Sequence, residues 1–138
     1  MKTFPVLSNT TAAYLAGLFD GEGSVSIIAR RTWGLRVSIY SAADDGFLRA
    51  IYNECGQPGC FVRVKRKRYR PLFNWEMKGP ALKWFLTSVE PWLRLKKTHA
   101  GIALDMYTLL EGHRKGKSLR ISPHEQATRK LLQLALEY

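Results

Sequence analysis

The sequence has few features of secreted or membrane proteins. Only two of its 138 residues are cysteines, too few for a disulfide framework. No apolar run approaches the roughly 20 residues that a membrane-spanning helix needs, and residues 1–13 are too polar for a signal peptide. We therefore expect a soluble intracellular protein, in the cytoplasm, the nucleoid or an organelle matrix, that is neither secreted nor bound to a membrane.

Side chains typical of zinc sites are also scarce. Cys55 and Cys60 flank a turn and could pair, but no CxxC pair is present, so reduced structural cysteines are the expectation. His99, His113 and His124 lack the spacing of metal ligands. A zinc-dependent fold is not indicated.

Acidic residues are few. The chain has 11 Asp and Glu against 22 Lys and Arg, a formal net charge of +11. This excess favours a polyanionic partner, with nucleic acid first and an anionic membrane second. With 46% hydrophobic residues, the chain can bury one core and is too short for two domains.

Apolar periodicity predicts helices alternating with pairs of strands. The hydroxyls of residues 8–11 can cap a first helix over 12–19, which carries no charge and is expected to be buried on most of its surface. The remaining predicted elements are strands at 24–30, 35–40, 62–65 and 72–77, a helix from 44 to 56, and helices at 80–92, 98–111 and 123–136. This order indicates an α+β fold with two hairpins.

Polar and basic residues alternate with the apolar ones along the predicted strands. The sheet should therefore have an apolar back and a polar front, with Arg63 and Lys65 on the same face as Asn74 and Glu76. Such a front can lie in the major groove of duplex DNA, where Arg and Lys read guanine and Asn reads adenine. The predicted DNA-contacting residues are Ser24, Ser26, Ile28, Arg30, Arg36, Ser38, Tyr40, Arg63, Lys65, Lys67, Arg70, Leu72, Asn74 and Glu76.

One segment carries more information than the rest. Leu15 to Ser24 read LAGLFDGEGS, a helix of small residues that ends in two acids separated by Gly21 and continues into a strand. Its first nine residues resemble the signature of the LAGLIDADG homing endonucleases: six match, and Phe19, Gly21 and Glu22 are variants. The matching residues are Leu15, Ala16, Gly17, Leu18, Asp20 and Gly23.

The resemblance implies a fold and an activity. The fold would be a single αββαββα domain with an antiparallel four-stranded saddle sheet and a core at about residues 8–111. A basic loop and an extra C-terminal helix, within 112–138, lie outside the resemblance and are expected to contact flanking phosphates and cover the core. The activity would be that of a site-specific DNA endonuclease. Because the motif occurs once in the chain, the implied enzyme is a homodimer that cuts both strands of a long, partly palindromic double-stranded DNA target with a stagger.

The resemblance also assigns roles to residues. The Glu22 carboxylate and the Gly21 carbonyl would bind Mg²⁺, or Mn²⁺ or Ca²⁺ in its place, and no small-molecule cofactor is implied. Lys96 would be the basic residue of the active site, and Tyr40 or Ser41 would stand where the family often has glutamine. The helices of two chains would meet through Ala16, Gly17, Asp20 and Gly21, with Asp20 mainly structural.

Two alternatives remain open from the sequence. A protein of the same fold could bind nucleic acid without cutting it, as an intron RNA maturase or a DNA-binding regulator. A basic structural RNA-binding protein would explain the net charge but not an acid flanked by glycines at a helix end.

Overall fold

The computed structural model describes residues 3–29, 33–41, 46–64 and 72–115, with only the backbone for 28, 29, 33, 41, 64 and 112–115. The elements are α1 (Asn9–Glu22), β1 (Gly23–Ala29), β2 (Trp33–Ser41), α2 (Gly46–Glu54), β3 (Cys60–Val64), β4 (Leu72–Met77), α3 (Gly79–Val89), a 3₁₀ helix (Glu90–Trp92) and α4 (Lys97–Lys115). The predicted α+β order is confirmed. The predicted helix at 123–136 lies outside the described residues.

Helix α1 begins as predicted and buries one side only. The Thr11 N–H donates to Ser8 Oγ at 3.2 Å, which caps the helix. The buried residues recur at helical spacing: Ala12, Leu15, Ala16 and Phe19. Gly17 and Gly21 on the other side are exposed, so the expectation of burial over most of the helix is wrong for the single chain.

The four strands form one antiparallel sheet in the order β1-β2-β4-β3. Its back face is apolar and packs against α1, α3 and α4. Val37, Ile39, Trp75 and Met77 on this face are fully buried. The Trp75 indole N–H donates to Pro58 O at 2.6 Å, so the largest core side chain has a partner for its polar atom.

The register of β3 differs from the prediction. Val62 pairs with Asn74, and Arg63 pairs with Phe73, whose neighbours Trp75 and Met77 alternate onto the back face. Directly paired residues project to the same side of a sheet. The prediction that Arg63 shares a face with Asn74 and Glu76 is therefore wrong, and Val62 takes that position.

The connections follow the expected punctuation. Gly56 after α2 has a φ of 80°, and its N–H donates to Asn53 O, which ends the helix. Pro91 lies in the 3₁₀ helix, where α3 has ended. Cys55 and Cys60 are free thiols, as expected, and burial, with the nearby Glu54 carboxylate, raises the pKa of Cys55. None of the helices in the described ranges has the length and apolarity needed to cross a membrane.

Candidate active site and nucleic-acid interface

The carboxyl end of α1 is shaped by close packing at Gly23. The Gly23 N–H donates to Phe19 O and closes the helix. A Cβ atom at Gly23 would collide with the Phe19 ring and with its carbonyl oxygen. Because Phe19 is fully buried and cannot move aside, residue 23 must be glycine for β1 to begin directly after the helix.

Asp20 connects this helix end to the segment before α4. Its Oδ2 accepts from the Arg94 N–H at 2.8 Å, and its Oδ1 accepts from the N–H groups of Leu95 at 3.1 Å and Lys96 at 2.9 Å. Burial alone would raise the pKa of Asp20, but these three bonds and the Lys96 charge lower it below its usual value. Asp20 therefore ties the carboxyl end of α1 to the segment before α4.

Lys96, in the segment before α4, donates hydrogen bonds back to the end of α1. Its ammonium donates to Phe19 O and Asp20 O, each at 3.0 Å, and lies 5.7 Å from the centre of the Phe19 ring. A cation is favourable at this position, since the carboxyl end of a helix carries partial negative charge. Lys96 therefore lies beside the carboxyl end of α1 and caps the helix.

Glu22 is the last residue of α1 and is exposed, as is Gly21. Its carboxylate is placed at the negative end of the helix, an environment that favours a bound cation. The described part of the chain holds no cluster of three or more His, Cys, Asp or Glu that could bind a metal. A carboxylate and a backbone carbonyl are nevertheless the hard oxygen donors that Mg²⁺ and Ca²⁺ take.

Several large apolar side chains are exposed around the open side of α1, which is the side that carries Gly17 and Gly21. Tyr14 on α1 is 45% exposed and makes an edge-to-face contact with Phe47 on α2, which is 62% exposed. Leu95, next to the Asp20 carboxylate, is 78% exposed. Ala16 is fully buried in the core of its own chain, because it faces the sheet rather than the open side. Its predicted side-chain contact with a partner is therefore wrong.

The front face of the sheet consists of cross-strand rows that the register defines. Three rows can be followed across the paired strands: Ser24, Ser38, Glu76 and Cys60; Tyr40, Asn74 and Val62; and Ser26 with Arg36. Leu72 on β4 lies on the same face, next to Asn74 in alternation, and is half-buried. The predicted polar front is thus present in β1, β2 and β4.

Among the described residues of the front face, Glu76 lies between two basic side chains. Its carboxylate lies 3.9 Å from an Arg36 nitrogen and 3.5 Å from Lys78 Nζ. Within the described residues, Arg36 Nε and Asn74 Oδ1 are buried side-chain atoms without a hydrogen-bond partner. Unsatisfied buried polar atoms are uncommon in native proteins, so each of these two calls for an explanation such as a water, an ion or a functional role.

The other predicted DNA-contacting residues differ in exposure, and some lie outside the described residues. Ser38 is only 2% exposed, since its short side chain lies on a central strand below longer neighbours, so the free protein does not present it as predicted. Ser24 and Tyr40 are exposed. Arg30, Lys65, Lys67 and Arg70 lie outside the described residues, and for Ile28 and Ser41 only the backbone is described.

Solved structures share this architecture. The homing endonuclease I-CvuI, in complex with its target in the presence of Ca, matches with a TM-score of 0.68 and 20% identity over 93% of this chain and 80% of that one. The archaeal intron-encoded homing endonuclease I-Vdi141I, complexed with DNA, gives a TM-score of 0.70 at 18% identity over 94% and 83%. The homing endonuclease I-TnaI gives 0.69 at 16% identity over 92% and 88%.

The chain has the LAGLIDADG fold. A match to the LAGLIDADG homing endonuclease I-GzeII, in complex with its DNA target, has a TM-score of 0.70 at 13% identity and covers 91% of this chain but 44% of that one. No protein-family model and no curated protein matches the sequence. At these identities the structural likeness concerns the fold, within which the motif spans the second half of α1 and the first residue of β1.

Two features of the LAGLIDADG fold in this chain could not be predicted from its sequence. Alternation predicted Val62 on the apolar back and Arg63 on the front, and this was wrong because the register of β3 depends on the turn before it. The bonds from Asp20 to residues 94–96 join segments more than 70 residues apart. No local pattern reports such a contact.

Proposed function

We propose that this protein is a site-specific DNA endonuclease that acts as a homodimer and makes a metal-dependent, staggered double-strand cut in a long, partly palindromic target. The arrangement at the carboxyl end of α1 carries the proposal. There the exposed Glu22 and Gly21 end the helix directly before the strand that starts the front face, and the Lys96 ammonium bonds the carbonyl oxygens of Phe19 and Asp20 in the same last turn.

Recognition of DNA is supported by charge and by the front face. A net charge of +11 attracts a polyanion over long distances. Arg36 and Asn74 on the front face have the donors that read guanine and adenine edges in the major groove. Exposed lysines around the sheet, such as Lys78, suit phosphates, which position a protein without specifying sequence.

A second copy of the chain would complete the site. One chain brings a single motif carboxylate, whereas a cut in each strand requires a site for each scissile phosphate. The open side of α1, with Gly17, Gly21 and the exposed Tyr14, Phe47 and Leu95, is a surface that a second copy can cover. One chain covers somewhat less than half of I-GzeII, which also supports a two-copy arrangement. The described residues share one hydrophobic core, which supports a single domain per chain.

The donors at the helix end fit a hard divalent cation. Glu22 would hold the ion through its carboxylate and Gly21 through its carbonyl oxygen. When bound, Mg²⁺ supplies an activated water and charge that stabilises the leaving oxygen of the phosphodiester. Lys96 would hold positive charge beside the reacting phosphate, where negative charge grows during hydrolysis.

A nucleic-acid-binding protein that does not cut is the second candidate. One observation favours it: the Lys96 ammonium already donates to two helix carbonyl oxygens. A lysine engaged in this way can be explained as a helix cap alone.

Selection and cleavage of DNA separate the two candidates. The protein would be incubated with a library of random duplexes and Mg²⁺, and both the cut ends and the retained uncut duplexes would be sequenced. We expect double-strand breaks with a fixed stagger at a two-fold-related sequence, abolished by EDTA. Enrichment of a sequence without any cutting would favour the binding protein. A library with neither enrichment nor breaks would contradict the endonuclease and a DNA-binding protein alike.

A further inference from the structure

An apolar side chain lies at an unexpected position on the front face. Val62 is 51% exposed on the edge strand β3, directly opposite Asn74 on β4, with Tyr40 on β2 completing the row. Asn74 and Val62 are a direct cross-strand pair, for which Cβ atoms are about 5 Å apart. The Asn74 carboxamide and the apolar Val62 side chain thus lie side by side on two paired strands of the sheet.

The hydrophobic core does not account for Val62. The adjacent residue Phe61 pairs with Trp75, and Tyr52 and Phe73 contact its ring, so the inward position on this strand is already occupied. Val62 projects to the other side, where the rest of its row is polar or amphipathic. Roughly half of an apolar side chain therefore remains in contact with water in the free protein.

Asn74 lacks a partner for one of its two polar ends. Its Oδ1 is buried without a hydrogen bond, a state that generally costs more free energy than a bonded one. A small reorientation of the side chain on binding would give this oxygen a donor. An adenine offers one, since its major-groove edge has the N6 amino group beside the N7 acceptor and so can bond both ends of a carboxamide.

We infer that Val62 and Asn74 act together as a specificity element for an A·T base pair, in which Asn74 bonds the adenine edge and Val62 contacts the 5-methyl group of thymine. This inference rests on the proposed recognition of DNA by the front face. It follows from the major-groove pattern, because thymine is the base that presents a methyl group there, and burying one methyl against valine removes apolar surface from water.

Replacement of thymine by deoxyuridine tests the inference, because it removes only the methyl group. The probe is the duplex that the wild-type protein enriches from a random library, with each thymine of one half-site replaced in turn. We expect one position at which deoxyuridine weakens binding about fourfold, the effect of exposing one methyl-sized group. In Val62→Ala the loss at that position should fall below twofold, while other positions are unchanged.

Controls distinguish recognition from folding. Val62→Thr keeps the branched shape, the strand preference and one methyl group, and it should reduce the discrimination to a value between those of the wild type and Val62→Ala. Val6→Ala removes the same atoms from a valine that is 98% exposed and far from the sheet in sequence, and it should bind both duplexes like the wild type.

Failure of the role proposed for Val62 can be distinguished from failure of DNA recognition. Sequence-specific binding with no effect of deoxyuridine at any position, or an effect that persists in Val62→Ala, would overturn the role of Val62 and leave the proposed function intact. Failure to enrich any sequence would contradict DNA recognition itself, and the role of Val62 with it.

Discussion

Two acidic residues at the end of α1, separated by one glycine, have different surroundings. The Asp20 carboxylate accepts three backbone N–H bonds from residues 94–96, whereas Glu22 is exposed. Their surroundings follow from the helical geometry, which directs Asp20 toward its own chain and leaves Glu22 at the terminus. Glu22 is therefore the acid proposed to bind the metal, whereas Asp20 holds the end of the helix against the segment before α4.

Substitution of Glu22 should affect cutting and leave binding. Glu22→Gln keeps the size of the side chain but removes the charge that holds a divalent cation, so the cleavage rate should fall at least 100-fold, on the scale of losing one transition-state-stabilising group. DNA affinity measured without metal should change less than threefold. Glu90→Gln, which neutralises an acid in the 3₁₀ helix, serves as the matched control. Retained cutting by Glu22→Gln would remove this residue from the mechanism.

Substitution of Asp20 should affect folding in a pH-dependent way. The folded-state pKa of Asp20 is lowered, so its charged form stabilises the native state above the unfolded pKa, and this stabilisation is lost as pH falls through the folded pKa. At pH 7, Asp20→Asn should lower the free energy of unfolding by about 1 kcal/mol. Urea unfolding should show the difference from wild type shrinking below about pH 4. A difference that is constant down to pH 2 would contradict the assignment.

Among the elements, α1 has two exposed glycines, Gly17 and Gly21, on its open side. A Cβ atom added at Gly17 would meet nothing within 4 Å. In the isolated chain, Gly17→Ala should therefore stabilise the helix by about 0.5–1 kcal/mol. In the proposed dimer the same methyl group would hold the two helices apart.

Sedimentation equilibrium can separate these two effects. Gly17→Ala should raise the dimer dissociation constant at least tenfold while the monomer unfolds at a higher denaturant concentration. Gly101→Ala on α4 also adds a Cβ with nothing within 4 Å and should leave dimerisation unchanged. Equal dissociation constants for all three proteins would argue against contact of the α1 helices.

The element order was predictable from the sequence because capping, glycine punctuation and alternation are local signals. Ser8 caps α1, Gly56 follows α2, and Leu35 to Tyr40 alternate between the faces as predicted. The register of β3 was not predictable, because it depends on how the chain leaves the preceding turn, where Gly59 has a φ of 77° and packs against the Glu76 carbonyl. This one-residue difference exchanged Arg63 for Val62 on the front face.

At the scale of the whole molecule, charge and assembly should control activity. With a net charge of +11, binding to the enriched duplex should weaken steeply with salt, with a log-log slope of about −0.9 for each phosphate neutralised. At concentrations below the dimer dissociation constant, the cleavage rate should rise with the square of the protein concentration. A first-order dependence at every concentration would indicate that one chain suffices.

The reciprocal bonds between α1 and the segment before α4 have a spectroscopic consequence. The amide protons of Arg94, Leu95 and Lys96 are donated to a carboxylate that precedes them by 74 to 76 residues. Their NMR chemical shifts and their exchange with deuterium therefore depend on the end of the motif helix rather than on their own segment. These three amides can report the motif's geometry in a titration with metal, with DNA or with a second chain, without any label placed in the motif itself.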